Sequence, residues 1–416
     1  MKKILILGGV SVHCKLVEAA KEMGCYTIVT DYLADSPAKK IADESWMINI
    51  MDVDQIVEKC KVENVNAVIS GWLDPCQKPY NEICEKLNLP CYGTKAQFHI
   101  LTDKNAFKEF CKECGVDTIP QYTISDVESK TIEFPVFVKP NDSRGSRGQS
   151  LCGSYDELEI AVELAKRESS NNEFVIEKYM EGKQDFSMTY FVIDGQPHLI
   201  RVCDRYLGKR EDGLNKQCIG CIAPSKYAQF YLDYVDQRVR GFIKKLGVKN
   251  GPVFMQGFVD GNTIRFYDPG LRFPGGDNEL FLKKSTGVDL MKLMVEFALT
   301  GKISKQIRDD LFYLDGKHAV QLDFTCRSGK IAEYRGLEEI RKNDKVVSSF
   351  ARYKVGKCVP NSGDVRQRVY EVGMVVEKGT SVFNAVKEIQ SVFDVIDENG
   401  ESMLVSVLNP ELLNYN

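Results

Sequence analysis

No apolar run in this 416-residue chain reaches the ~18 residues that a membrane-spanning helix needs. The opening MKKILILGGV carries charge and a short apolar stretch but no small-residue cleavage site, so it reads as a first strand and not as a signal peptide. An excess of positive charge is also missing. Lysine and arginine number 55 against 59 acids, a net charge of −4, which offers no basic field to nucleic acid. Internal repeats, low-complexity tracts and long linkers are absent. What is present is ordinary for a globular protein: 43% hydrophobic and 27% charged residues, in a length that suits two to four domains. Fourteen cysteines without a signal peptide point to a reducing cytoplasm. Two pairs have C-x-x-C spacing, Cys111/Cys114 and Cys218/Cys221, which raises zinc. The first pair lies in a helical pattern and the second in an extended one, and the flanks read as complete without metal.

The first hundred residues alternate strand and helix. Extended stretches at 2–9, 25–32, 46–50 and 66–72 are separated by helical periodicity at 11–24 and 52–64, and another helix follows at 78–90. That order predicts a parallel, doubly wound sheet, with ligand loops after Gly8–Gly9 and after Ser70–Gly71. The Gly8–Gly9 turn lacks the full G-x-G-x-x-G of a dinucleotide site, so Asp31 reads as a strand-end cap and not as a ribose ligand. A helix over 102–115, capped by Thr102 or Asp103, leads into a second region. Helices are predicted at 154–170, 227–247, 288–302 and 381–396, and strands within 173–200, 251–270 and 318–335.

The most informative stretch is FPVFVKPNDSRGSRGQSLCG, residues 134–153. It reads as a buried strand ending in Lys139, a loop rich in glycine, serine and arginine, and a second strand. Glycine lets a backbone approach a ligand, exposed N–H groups make an anion site, and lysine adds a point charge for phosphate. The loop lacks the phosphate-loop spacing and leads into a strand, which sets it apart from nucleotide loops that open a helix. A second stretch, residues 251–279, reads as a hairpin turning at Asp260–Gly261–Asn262, with Gln256 and Asp268 on its two strands where they can face one site.

Strand, glycine flap and strand, with lysine on the incoming strand, resemble the ATP-grasp superfamily. The likeness extends to D-K-x-x-F-K at 103–108, to VIEKYMEG at 175–182 and to D-P-G-L-R at 268–272. Its nearest look is to carboxylate–amine ligases and carbamoyl-phosphate-synthase-like proteins of the biotin carboxylase-like branch. The resemblance implies a multi-domain α/β and α+β chain. A Rossmann-like preATP-grasp domain would span 1–95, the ATP-grasp domain 96–302 with a lid at about 120–183, and a small α+β C-terminal domain 303–416. It implies ATP and Mg²⁺ as cofactors. Lys104 and Lys139 would hold phosphates, under a flap of Ser143, Arg144, Gly145, Ser146 and Gly148. Glu177, Lys178 and Met180 would read adenine, and Asp185 would bind the ribose. Asp268 and Gln256 would hold the metal, while Arg272 and Lys139 serve catalysis. The family pattern E-x-N-x-R departs here: Asp268 takes the glutamate position, Gly270 replaces the asparagine, and Gln256 replaces another acid.

The activity so implied is an ATP-dependent ligase. A carboxylate is activated as an acyl phosphate and attacked by an amine, both small molecules, in a cytoplasmic protein expected by resemblance to be a homodimer. The altered metal positions keep open a non-catalytic nucleotide-binding protein. The N-terminal sheet alone would suggest a dinucleotide-dependent oxidoreductase.

Overall fold

The computed structural model describes residues 1–141, 148–208 and 217–415. The N-terminal sheet is parallel throughout, in the order β3 (Glu44–Trp46), β2 (Tyr26–Thr30), β1 (Lys3–Leu7), β4 (Ala67–Ile69). Its strands are short apolar runs buried on both faces, as helices covering both sides require. Helix Cys14–Glu22 follows β1 and helix Asp74–Leu87 follows β4, four residues earlier than periodicity suggested. At the carboxyl end of β2, Asp31 accepts from the Gly9 N–H at 2.8 Å and the Leu33 N–H at 2.7 Å, so it is the strand-end cap expected.

A small antiparallel sheet runs β5 (Gln121–Tyr122), β8 (Phe174–Lys178), β6 (Val136–Pro140), β7 (Ser150–Cys152). One face packs Val136, Val138 and Ile176 on Leu158, Ala161 and Ala165 of helix Tyr155–Glu168. The opposite face looks toward a much larger sheet.

That sheet is ordered β13 (Thr263–Gly270), β12 (Gly251–Asp260), β9 (Asp185–Ile193), β10 (Gln196–Leu207), β11 (Cys218–Ala223), β14 (His318–Cys326), β18 (Arg368–Val376), β16 (Val346–Ala351), with β20 (Leu404–Ser406) paired to β14. The C-terminal residues therefore extend the sheet of the central region. They add a side sheet, β17 (Cys358–Val359), β15 (Gly329–Arg335), β19 (Asp394–Asp397), and helix Val382–Val392 over a second core that Tyr206, Ile219 and Ile222 also join.

Two local readings need correction. Residues 227–247 form two helices, Ala228–Tyr234 and Asp236–Leu246, parted at Val235 (φ −124°, ψ −40°). Tyr190 ties the break, its hydroxyl meeting that of Tyr231 at 2.8 Å and donating to Asp236. Helix Asn278–Thr286, which had no expected counterpart, closes the loop after β13. Its Glu279 takes the buried Lys15 ammonium at 2.7 Å and so fastens helix Cys14–Glu22 to that loop.

Candidate functional site

Directly opposed residues of antiparallel strands project to the same face. One row across the large sheet is Asp268, Gln256, Ser187, Cys203; a second is Phe258, Asp185, Arg205, Cys221. Gln256 faces Asp268 only because the ladder slips by one residue between Gln256 and Gly257. The irregularity adds Tyr267 on β13 and turns both Tyr267 and Asp268 toward the crevice, the re-aiming that a bulge provides.

Between this face and the small sheet lies a cavity of about 370 Å³. One end is an apolar slot, with Phe137 and Leu151 on the small sheet and Leu207 and Phe258 on the large one. The segment joining β8 to β9 borders it with Lys178, Tyr179 and Met180. The Lys178 and Tyr179 N–H groups donate to the Pro120 and Pro135 carbonyls, whereas that of Met180 has no acceptor among the described residues. The other end is charged. Lys104 stands at the start of helix Lys104–Glu113, which is capped by Asp103 accepting from the Ala106 N–H at 2.9 Å, and donates to the Asn141 carbonyl at 2.9 Å. Arg272 comes from the loop after β13.

Most of the charged groups here are tightly held. Lys139 Nζ lies 2.7 Å from Glu177 Oε2, over the rings of Phe137 and Tyr267. Lys108 Nζ takes Oε1 of the same carboxylate at 2.5 Å. Burial would push Glu177 up, but the two lysines outweigh it and hold the group down at about 2. The Glu177 side chain is thus committed to lysines. Arg205 Nη1 meets Asp185 Oδ2 at 2.7 Å, Tyr267 Oη at 2.8 Å and Gln256 Oε1 at 3.1 Å. Burial raises Asp185 despite Arg205 and Tyr267. Arg272 grips Asp74 through Nε and Nη2, donates through Nη1 to the Phe273 carbonyl, and stacks on Phe254 at 4.7 Å. Asp268 is raised by burial, against the pull of Lys104, Arg272 and Lys139.

The structure thus brings Lys104, Lys139, Glu177, Lys178, Met180, Asp185, Gln256, Asp268 and Arg272 to one cavity. Gly148, at φ +66°, ends the loop after β6, and a Cβ there would sit 2.8 Å from Pro140 and 2.7 Å from Glu168. Ser143, Arg144, Gly145 and Ser146 lie outside the described residues, as do Lys209, Arg210 and Lys216. Arg335, on β15, pairs with Glu333 at the surface; the C-terminal arginine that lines the cavity is Arg368, paired with Asp323 at 3.0 Å. Sequence reasoning missed Arg368, Asp74 and Tyr267. Only the D-P-G-L-R run beside Tyr267 offered a signal. Among the described residues no three His, Cys, Asp or Glu side chains assemble as a metal cage; Cys218 and Cys221 come within 3.4 Å as a pair of thiols. All fourteen cysteines are free.

Two sheets thus close on a slot that is apolar at one end and charged at the other. Residues 103–251 match the family model described as carbamoyl-phosphate synthase L chain, ATP binding domain. Over that segment the chain is similar to the ATP-grasp proteins. It is 27% identical over 201 residues to the 2-oxoglutarate carboxylase small subunit of Hydrogenobacter thermophilus, and that alignment spans 43% of each chain, under half of the relative's length. The fold is similar to the crystal structure of L-amino acid ligase from Bacillus licheniformis (TM-score 0.77, 20% identity, 96% of this chain and 99% of that one). It is also similar to the biotin carboxylase domain of the Hydrogenobacter thermophilus 2-oxoglutarate carboxylase, solved with MgADP, ADP and bicarbonate (TM-score 0.76, 18% identity, 97% and 91%). Among the described residues no helix is long and apolar enough to cross a membrane.

Proposed function

We propose that the protein is an ATP-dependent carboxylate–amine ligase. The observation that carries this reading is the gathering of Lys104, Lys139 and Arg272 around Asp268 at the end of an apolar slot. Phosphoryl transfer asks for positioning and charge neutralisation more than for acid–base groups, and that is what these residues offer. Adenine would lie between Phe137 and Phe258, against the Met180 N–H; Glu177 sets Lys139 in place and does not itself touch the base. Asp185 keeps lone pairs for the ribose beyond those it gives Arg205 and Tyr267. Lys104 and Lys139 would neutralise the phosphates. Arg272 uses three of its five N–H groups within the protein, leaving two for the oxygens of an acyl phosphate as the amine attacks and phosphate leaves. Asp268 would hold Mg²⁺, which supplies charge stabilisation on the transferring phosphoryl group.

The division into 1–95, 96–302 and 303–416, a homodimeric state and a cytoplasmic setting belong to the same reading. Substrates are small molecules, one with a carboxylate and one with an amine, of the kind named for the Bacillus licheniformis ligase. A coupled assay over pairs of amino acids tests it: ADP release that depends on both partners is expected, and none with any pair would refute catalysis. A second reading, nucleotide binding without turnover, draws on Gly270, where any Cβ would lie 2.3 Å from the Phe254 ring and the familiar asparagine cannot fit. Binding unaffected by Mg²⁺, with no turnover, would favour it.

A further inference from the structure

The carboxylates of the cavity are unequally free. Glu177 is shared by Lys108 and Lys139, Asp185 is taken by Arg205, and Asp74 by Arg272. Asp268 has neither an ion pair nor a hydrogen bond among the described residues. Its partner across the ladder, Gln256, is in a different condition. Oε1 accepts from Arg205 Nη1 at 3.1 Å, while the Tyr267 hydroxyl, 3.3 Å away, has a single proton and lies 3.2 Å from the Asp185 carboxylate. An amide oxygen has two lone pairs, and the guanidinium that engages one sets a fixed positive charge beside the other. Arginine only donates, so it fixes which end of the amide is oxygen, and the Nε2 end is a donor that cannot bind a cation. Gly270 contributes no side chain, and Phe254 fills the space one would need.

These strands therefore present one available carboxylate and one guanidinium, where a pair of metal ions would need more oxygen donors. Arg205 engages its neighbours through Nη1 alone; Nε and Nη2 have no hydrogen bond among the described residues, and the side chain lines the cavity. A guanidinium presents paired N–H groups that match phosphate oxygens. We propose that Arg205 is a built-in cation of the nucleotide site, taking the place of a second divalent ion, and that the triphosphate is bound with a single metal ion, at Asp268. Asp185, Gln256 and Tyr267 are then positioning residues that hold the guanidinium at a fixed height over the sheet. This rests on the nucleotide reading above and adds the metal count and the residue that sets it.

Mn²⁺ titration followed by electron paramagnetic resonance, with the full chain and a saturating non-hydrolysable ATP analogue, reads the count directly. One Mn²⁺ per chain is expected. Two per chain with the nucleotide bound would overturn this inference and leave the nucleotide reading intact; failure of the analogue to bind at all would sink both. The double substitution Arg205→Gln with Asp185→Asn removes the buried pair together, so neither charge is stranded. It should weaken the ATP analogue about 10- to 100-fold relative to adenosine, the span of one or two charge-assisted hydrogen bonds. The Mn²⁺ count should stay at one. An unchanged ratio of analogue to adenosine affinity, or a second Mn²⁺, would refute the role of Arg205.

Discussion

Replacing Glu177 by glutamine removes the carboxylate that lies between Lys108 and Lys139 at 2.5 and 2.7 Å. The native group titrates at about 2 against an ordinary 4.5, a gap equivalent to about 3 kcal/mol of stability at neutral pH. Because the folded value is depressed, that contribution is complete well above pH 4.5 and fades as pH falls toward 2. At pH 3.5 about 2 kcal/mol of it should remain. Glu177→Gln should therefore cost about 3–5 kcal/mol at pH 7, since it also strands two buried ammonium groups. The penalty should shrink by about 1 kcal/mol between pH 7 and pH 3.5. Urea unfolding of both proteins across that range measures it. A penalty that is small, or constant with pH, would show that the two lysines do not hold the carboxylate as described.

Other outcomes follow from the same contacts. Lys139→Ala should abolish measurable binding of an ATP analogue while leaving a folded protein, because Lys108 still neutralises Glu177; calorimetric titration with unchanged affinity would contradict the phosphate role. Gly270→Asn, which restores the familiar donor, should destabilise by about 1–3 kcal/mol through overpacking on Phe254, seen as a lower melting temperature without an added Mn²⁺. Lys15→Met should cost about 3–5 kcal/mol by stranding Glu279 and loosening Asp277, read from urea denaturation at neutral pH.

Much of this architecture was legible in the sequence, for physical reasons. Short apolar strands alternating with amphipathic helices permit little besides a parallel sheet with both faces covered, and the N-terminal sheet is that. The Asp260–Gly261–Asn262 turn fixes the start of a hairpin register, which is why Gln256 and Asp268 could be placed near each other. The slip that puts them truly opposite was not legible, because nothing at Tyr267 announces an extra residue until the neighbouring strand offers Asp185 and Arg205 to its hydroxyl. Arg368 escaped for a similar reason. It lies far along the chain, and only the pairing of β18 beside β14 brings it to Asp323 and the cavity. The motif at 175–182 likewise carries no record of the two lysines that pair with the Glu177 side chain. The break at Val235 depends on tertiary hydrogen bonds from Tyr190, which periodicity within 227–247 cannot see.

The continuity of β12, β9, β10, β11, β14 and β18 has a mechanical consequence. Strands that share ladder hydrogen bonds move as one board, so the C-terminal region has no freedom to rock against the floor of the crevice. In the proposed reading, admission and release of a ligand would fall to the opposite wall, the small sheet, which is joined through the segments before β5 and after β8. Changes that stiffen those two connections would slow exchange of the bound molecule without altering the floor that recognises it.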